Sequence, residues 1–163
     1  MKVIGVVGYK NSGKTFIVQK LIKYFVNKKL KVASIKHAHH NFEIDKPGTD
    51  SFLHRQSGAQ EVIISSSKRW ARIKELKNSK EKKLSDLITQ LEKTDIVIIE
   101  GFKNEKHSKL EIINEKNYLN NNYLFPSLNN VIGIICDTRI NTSIKQFHTH
   151  EIEIIAEYIL EKT

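Results

Sequence analysis

The stretch GVVGYKNSGKTFIVQKLIKYF, residues 5–25, decides the fold of this chain. It begins in a short β-branched run, which predicts a buried strand that ends at Gly8. From Lys14 onward, apolar residues recur at the i, i+4 spacing of an amphipathic helix. Between the two, residues 8–15 read GYKNSGKT and match the pattern G-x-x-x-x-G-K-[ST]. A strand, a glycine-rich turn and a helix in this order provide the context that a phosphate-binding loop requires.

The residue types of this motif have physical reasons. Glycines let the backbone wrap an anion so that successive N–H groups point inward, and the start of the helix adds a partial positive charge. We expect Lys14 to reach the β- and γ-phosphates of a nucleotide and the Thr15 hydroxyl to bind Mg²⁺. The alternative is a glycine-rich turn without a ligand. The predicted nucleotide-binding residues of the loop are Gly8, Asn11, Ser12, Gly13, Lys14 and Thr15.

A carboxylate suited to the metal ends a later strand. DIVIIE, residues 95–100, is apolar enough to be buried on both faces. Glu100 lies at its C-terminal end, where ligands bind in open α/β sheets. Because a phosphate loop needs a carboxylate on a neighbouring strand for the metal or its water, we assign Glu100 to Mg²⁺ and, with Lys14, to catalysis. The alternative is a simple strand-end charge. Gly101 is predicted to let the backbone approach the γ-phosphate.

The rest of the chain alternates strands with helices. This alternation predicts an α/β, P-loop NTPase-like three-layer fold with a mostly parallel central sheet, as one domain over residues 1–163. Further strands are predicted at VASI, EVIISSS, RWARIKE, KLEII and VIGIIC, and helices at DSFLHRQSGA, KKLSDLITQLEK and EIEIIAEYILEK. Asp50 or Ser51 is the expected cap of the first of these helices. Residues 114–130 are Asn-rich and weakly patterned, which predicts an exposed insertion or loop.

A histidine-rich loop, KHAHHNFEIDKPGTDS, follows the second predicted strand. His37, His39 and His40 could supply zinc or nickel ligands, but no CxxC or HExxH motif accompanies them. A polar loop with exposed or hydrogen-bonded histidines is the simplest alternative. We favour a surface for polyphosphate, Mg²⁺ and a partner, with His37 and His40 toward the nucleotide. Asp50, with Asp45 nearby in sequence, is predicted to serve the Mg²⁺.

The composition narrows the class of partner. Lysine and arginine outnumber aspartate and glutamate 27 to 18, a net charge of +9, which suggests anionic ligands. A lysine-rich composition bias is the alternative explanation. No basic stretch with interleaved aromatics makes a stacking platform, so nucleic acid is not expected. Cys136 is the single cysteine, which excludes an intrachain disulfide and favours a reducing cytoplasm. No apolar run reaches the length of a membrane span.

Several motifs together resemble one known family. They are GYKNSGKT, IKHAHH, DKPGTDS, SGA, KRWA, DIVIIEGFK and VIGIICD, and they cover nearly the whole chain in order. The chain resembles the MobB family of molybdopterin-guanine dinucleotide biosynthesis adaptor proteins. It departs from that pattern at Phe16, where a second hydroxyl residue is common, and at Ser57, where alanine is usual. Residues 114–130 match no motif of the family.

The resemblance implies a single GTP-binding P-loop domain that forms a homodimer. It also implies GTP and Mg²⁺ as cofactors, and a partner nucleotidyltransferase, MobA, that joins GMP to molybdopterin. Molybdopterin is then a further candidate ligand. Any GTPase activity is expected to be weak. Two other classes stay open: a metallochaperone GTPase that uses the histidine loop, and a small-molecule P-loop kinase. Against the kinase, no arginine-rich lid is evident, although SSSKRWAR offers a weak candidate.

The base of the nucleotide has one candidate reader. The late apolar strand VIGIIC leads into Asp137, and no N/T-K-x-D segment is present in the chain. A carboxylate there could accept from N1–H and the 2-amino group of guanine, whereas adenine lacks both donors. The alternative, equally weighted, is that Asp137 caps the turn after the strand.

Overall fold

A computed structural model of the protein describes residues 1–38, 42–77 and 80–163. The chain forms two compact units, one from residues 1–37 with 84–163 and the other from residues 38–83. The single domain over residues 1–163 therefore stays a prediction. In chain order the elements are β1 (Lys2–Val7), α1 (Lys14–Asn27), β2 (Val32–Lys36), α2 (Asp50–Gln56), β3 (Glu61–Ser65), β4 (Trp70–Lys74), α3 (Leu84–Ile88), β5 (Ile96–Glu100), β6 (Ser108–Ile112), α4 (Glu115–Leu119), β7 (Val131–Ile135), β8 (Lys145–Phe147) and α5 (Ile152–Lys162).

The first unit is built on a six-stranded sheet with the order β2-β5-β1-β6-β7-β8. Every neighbouring pair in this sheet is parallel. The predicted α/β fold with a mostly parallel sheet is therefore confirmed. Because all six strands run the same way, their C-terminal ends share one edge, and the loop that leaves β1 lies there.

Helices cover both faces of the central strands. On one face, apolar residues of α1 and α5 form a core with the sheet: Ile17, Leu21, Phe25, Ile155 and Ile159 pack with Ile4, Val6, Ile96, Ile98 and Leu110. On the other face, Leu84 of α3 packs with Val97 and Ile99. Val97 and Ile99 alternate with Ile96 and Ile98, so β5 is buried on both faces as its continuous apolar run predicts. The three layers follow from this burial.

Helix α3 is shorter than its amphipathic pattern predicts. It ends at Ile88, although Leu91 still packs on the core. The Thr89 hydroxyl and the Gln90 side-chain amide both donate to the carbonyl of Asp86, at 2.9 and 3.1 Å. Side chains that bond to the nearby backbone compete with the helical ladder. The backbone then tightens into i to i+3 bonds, and the helix stops.

The Asn-rich segment, residues 114–130, is exposed at most of its positions, as the predicted exposed insertion or loop requires, but part of it also packs against the core. It contains α4, and its aromatic residues Tyr118, Tyr123 and Phe125 pack on a second buried cluster. That cluster is formed by Ile113, Ile134, Cys136 and Ile140. The sequence pattern hid this packing because the apolar residues are spaced irregularly among asparagines. The three-residue strand β8 was also missed, since so short a run gives no readable period.

Strand β6 carries two fully buried charges on one face, Lys109 and Glu111. The Glu111 carboxylate accepts from the backbone N–H groups of Leu124 and Phe125, each at 2.7 Å. The Lys109 ammonium donates to backbone carbonyls, among them His107 at 2.8 Å. Burial raises the pKa of Glu111 and lowers the pKa of Lys109. Buried charges persist only where such bonds satisfy them, so both residues tie β6 to the segments beside it.

The second unit contains α2 and the antiparallel hairpin of β3 and β4. Thr49, rather than Asp50 or Ser51, is the N-cap residue of α2. Arg55 pairs at 2.6 Å with both Asp45 and Glu75, and its side chain is 17% exposed. The Arg55 hydrogen bond lowers the pKa of Asp45. Asp45 thus has a structural partner within its own unit.

None of the helices in the described residues is long and apolar enough to cross a membrane.

Candidate phosphate-binding site

The loop between β1 and α1 has the backbone that its glycines predict. Gly8 and Gly13 both have positive φ, at 149° and 97°. A Cβ atom on Gly8 would lie 2.5 Å from the carbonyl oxygen of Ile112 and 2.7 Å from the Ser12 hydroxyl oxygen. Gly13 is the N-cap of α1 and makes no side-chain capping bond. The cap residue therefore leaves the first backbone N–H groups of α1 free to donate to another acceptor, as an anion site requires.

Lys14 folds back over this loop. Its ammonium donates to the carbonyl oxygens of Gly8 at 3.0 Å and Tyr9 at 2.6 Å. Burial lowers the pKa of Lys14, and the nearby Lys36 lowers it further, whereas Glu100 raises it. The cation thus lies within the loop, held by two backbone carbonyls that a phosphate could replace.

Glu100 meets the loop from the end of β5. The Thr15 hydroxyl donates to its two carboxylate oxygens, at 3.1 and 3.2 Å. The Glu100 side chain is only 12% exposed, and the Lys36 ammonium lies 3.2 Å from one of its oxygens. The structure therefore brings Lys14, Thr15 and Glu100 together, as the sequence predicts.

These groups suit a nucleotide phosphate with Mg²⁺. The Ser12 hydroxyl oxygen is buried without a hydrogen-bond partner, and Ser12 as a whole is 5% exposed. An orphaned buried hydroxyl inside the loop needs a partner that the protein itself does not supply. The Thr15 hydroxyl and the Glu100 carboxylate are oxygen ligands of the kind that Mg²⁺ prefers.

His37 lies at the same sheet edge, directly after β2. Its ring stacks on Phe102 with centroids 4.3 Å apart and planes 17° apart. A Cβ atom on Gly101, whose φ is 99°, would lie 2.8 Å from the Cβ of His37. The need for glycine here comes from His37 and from the backbone, and the approach of Gly101 to a γ-phosphate stays a prediction. His39 and His40 lie outside the described residues.

Two predicted acids are not joined to this cluster by any described contact. Asp50 opens α2 in the second unit, so its role at Mg²⁺ stays a prediction. Asp137 follows β7 and accepts from the backbone N–H of Thr149 at 2.8 Å and from its hydroxyl. The bond from the Thr149 N–H is the main cause that lowers the pKa of Asp137. A turn-capping role is thus present, and guanine recognition stays a prediction. Within the described ranges, no three histidine, cysteine, aspartate or glutamate residues form a metal-binding group.

Comparison with known proteins decides the family. The family model of molybdopterin guanine dinucleotide synthesis protein B matches residues 3–137. This chain belongs to the MobB family. It is 38% identical over 109 residues to a molybdopterin-guanine dinucleotide biosynthesis adapter protein of Haemophilus influenzae, covering 66% of this chain and 60% of that relative. The adapter protein of the same description from Escherichia coli is 29% identical over 155 residues, covering 94% of this chain and 88% of that relative.

Solved structures agree with this MobB assignment. A crystal structure of molybdopterin-guanine biosynthesis protein B has a TM-score of 0.77 and 25% identity, with 99% of each chain covered. A MobB homolog from Bacillus stearothermophilus has a TM-score of 0.75 and 19% identity, with 99% of this chain and 100% of that chain covered. At 19% identity, the similarity to the Bacillus stearothermophilus protein shows the fold alone.

Sequence reasoning missed one member of this MobB site, Lys36. It ends β2, and the parallel register pairs it directly with Glu100. The signal was available, because two adjacent parallel strands that end in charged residues bring those residues to one edge. The sequence pattern assigned IKHAHH to the histidine loop and left its lysine without a role.

Proposed function

We propose that this chain is a GTP-binding adaptor of molybdopterin-guanine dinucleotide biosynthesis. It assists a partner nucleotidyltransferase, MobA, in joining GMP to molybdopterin. The observation that carries the proposal is the contact of Thr15 with Glu100 beside a loop in which Lys14 covers two backbone carbonyls. Membership of the MobB family, whose relatives are named as adapter proteins, supplies the pathway.

In this proposal the loop residues exchange partners when GTP binds. Lys14 leaves the carbonyls of Gly8 and Tyr9 for the β- and γ-phosphates, and the N–H groups at the start of α1 bind the same oxygens. Thr15 and Glu100 would hold Mg²⁺, directly or through its water, and the metal would supply positive charge that neutralises the phosphates.

The flanking residues complete the site. Lys36, which pairs with Glu100 in the structure, would be available to the phosphates if that carboxylate held the metal. The assignments of His37 and His40 to the nucleotide or the partner, and of Asp50 to Mg²⁺, stay predictions from the sequence. Molybdopterin, itself an anion, is a further ligand of this basic protein. We place this role in the cytoplasm, where Cys136 stays reduced.

Hydrolysis is slow in this proposal. The cations described next to Glu100 are the lysines Lys14 and Lys36. An arginine finger alone contributes about 10³–10⁵ in rate to fast GTPases. We therefore expect a turnover far below the enzyme median of about 10 s⁻¹. A turnover near that median in the isolated protein, without any partner, would contradict slow hydrolysis.

The test is a reconstituted transfer of GMP to molybdopterin by MobA, with and without this protein. We expect the protein to raise the yield when GTP–Mg²⁺ is present and to co-purify with MobA more strongly in its presence. No effect on transfer and no association would overturn the proposal. Phosphoryl transfer to a small acceptor would instead favour a kinase. Light scattering of the purified protein tests the proposed homodimer.

A further inference from the structure

Asn114 joins the phosphate loop to helix α4. It follows β6 and is the N-cap of α4, where its side-chain oxygen accepts from the backbone N–H of Asn117 at 2.9 Å. Its side-chain nitrogen donates to the backbone carbonyl of Asn11 at 3.1 Å. Asparagine offers both an acceptor and donors, so one side chain performs the two tasks at once.

The carbonyl that Asn114 holds belongs to a tight turn of the loop. Asn11 has a φ of 62°, in the left-handed region. The N–H of the same peptide, on Ser12, donates to the carbonyl of Tyr9 at 3.2 Å, and Tyr9 also accepts from Lys14 at 2.6 Å. Because the C=O and N–H of a trans peptide point in opposite directions, fixing one fixes the other. A free carbonyl could turn its negative end toward a bound phosphate.

The segment that carries Asn114 is itself fixed by contacts with the core. Buried Glu111 holds the N–H groups of Leu124 and Phe125, and Tyr118 packs on the cluster around Cys136. Asn114 therefore extends from a segment that the core fixes at several points. A hydrogen bond from a fixed donor orders the loop more than one from a mobile side chain, because less freedom is lost in forming it.

We propose that Asn114 is a positioning residue of the phosphate loop, whose amide fixes the Asn11–Ser12 peptide for phosphate binding. The inference rests on the proposed GTP binding and names a residue that acts on the same site through Asn11. Coupling of this kind is reciprocal, so phosphate binding also stabilises the N-terminus of α4.

The test separates the two tasks of Asn114. Asn114→Ser and Asn114→Asp keep a good N-cap acceptor but lose the amide donor, whereas Asn114→Ala loses both. Asn120→Ser is the matched control, because the Asn120 amide donates to Lys116 within the same segment and makes no described bond to the loop. Calorimetry measures binding of GTP–Mg²⁺ and of inorganic tripolyphosphate, and thermal unfolding without ligand measures stability.

We expect Asn114→Ser to weaken both ligands about 2- to 10-fold, the range that one neutral hydrogen bond covers. Asn114→Asp weakens them further, since it adds a negative charge near the phosphates. Both keep an unfolding midpoint close to that of the wild type, whereas Asn114→Ala lowers it by about 2–4 °C through the lost cap. Without any ligand, the Ser12 amide exchanges hydrogen faster in Asn114→Ser, while amides of β1 and β5 are unchanged.

Wild-type affinity and unchanged Ser12 exchange in both Asn114→Ser and Asn114→Asp would overturn the inference. So would an affinity loss in Asn114→Ser that only follows a fall in its unfolding midpoint, because the residue would then be merely structural. If the wild type binds neither GTP–Mg²⁺ nor tripolyphosphate, the proposed function itself fails and the inference fails with it.

Discussion

Two strand ends at the same edge of the sheet carry the same pattern and have different surroundings. Glu100 ends an apolar run on β5, and Asp137 follows an apolar run on β7. The Glu100 side chain is 12% exposed, and Asp137 is 61% exposed. Glu100 receives bonds from Thr15 on the phosphate loop, whereas Asp137 receives its bonds from Thr149.

This difference shows that the position of an acid at a strand end does not by itself fix its role. Its position brings it to the ligand edge, but the partner of its carboxylate decides the role. Glu100 neighbours β1 in the sheet, so it meets the phosphate loop. Asp137 follows a strand that is separated from β1 by β6, so it meets the turn after β8 instead. The first acid contacts the loop where we propose that phosphate binds, and the second accepts bonds in a turn and, in our prediction, contacts the base.

Lys14→Ala tests the loop that Glu100 contacts. We expect about 100-fold weaker binding of GTP–Mg²⁺, because hydrogen bonds to charged groups reach about 3 kcal/mol. The fold should persist, since the hydrogen bonds described for Lys14 go to carbonyls of the loop itself. Calorimetry with circular dichroism checks both points. Undiminished affinity in a folded variant would remove the phosphate-loop assignment.

Matched neutral variants of the two acids test whether Glu100 and Asp137 differ in role. Glu100→Gln keeps the shape of the side chain and removes the charge that Mg²⁺ needs, so we expect about 10- to 100-fold weaker GTP–Mg²⁺ binding. In a titration with inorganic tripolyphosphate–Mg²⁺, which has no base, Glu100→Gln should lose a similar factor and Asp137→Asn should change the affinity by less than about 3-fold, because no charge of the phosphate site is lost. Equal losses in the two variants would show that the two strand ends serve one site.

The role of Asp137 at the base is tested by the ratio of GTP to ATP affinity. A mispaired buried polar group costs about 1–3 kcal/mol, so Asp137→Ala should reduce a guanine preference by about tenfold. Asp95→Asn is the control, since Asp95 accepts from the Lys31 backbone N–H at 2.7 Å, just before β5 begins. If Asp137→Ala keeps the full preference of the wild type, other groups read guanine and Asp137 serves only the turn.

The smallest expected effect is the pH dependence that Asp137 adds to stability. Its pKa in the folded protein is lowered, first by the Thr149 N–H. A lowered carboxyl pKa contributes stability above the unfolded value, near 3.8, and this is lost as the pH falls through the folded value. Asp137→Asn should therefore lower the unfolding midpoint slightly at pH 7 and leave the gap smaller at pH 3. A gap that grows toward low pH would contradict this assignment.

Most of the fold could be predicted from the sequence because the local hydrophobic patterns agree with the burial seen in the structure. The β-branched run before Gly8, the helical spacing after Lys14 and the apolar run ending at Glu100 each follow one period, and each forms the predicted element. The contact of Thr15 with Glu100 followed from the same reasoning about parallel strands.

The structural features that the sequence could not predict depend on contacts between residues that are distant in sequence. Nothing local shows that Glu111 binds the N–H groups of Leu124 and Phe125, or that Asn114 reaches Asn11. An asparagine-rich run has no hydrophobic period, so its order comes from those bonds rather than from its own propensity. Lys36 was missed because its role appears only once β2 is placed beside β5.

Buried Glu111 limits how the segment that follows β6 can change. A carboxylate with 0% exposure is tolerated here because residues 124 and 125 supply its donors. A relative that shortens this stretch would leave an uncompensated charge in the core. We therefore expect the length of the segment after β6 and the acid in that strand to covary, so that lineages lacking one have also replaced the other.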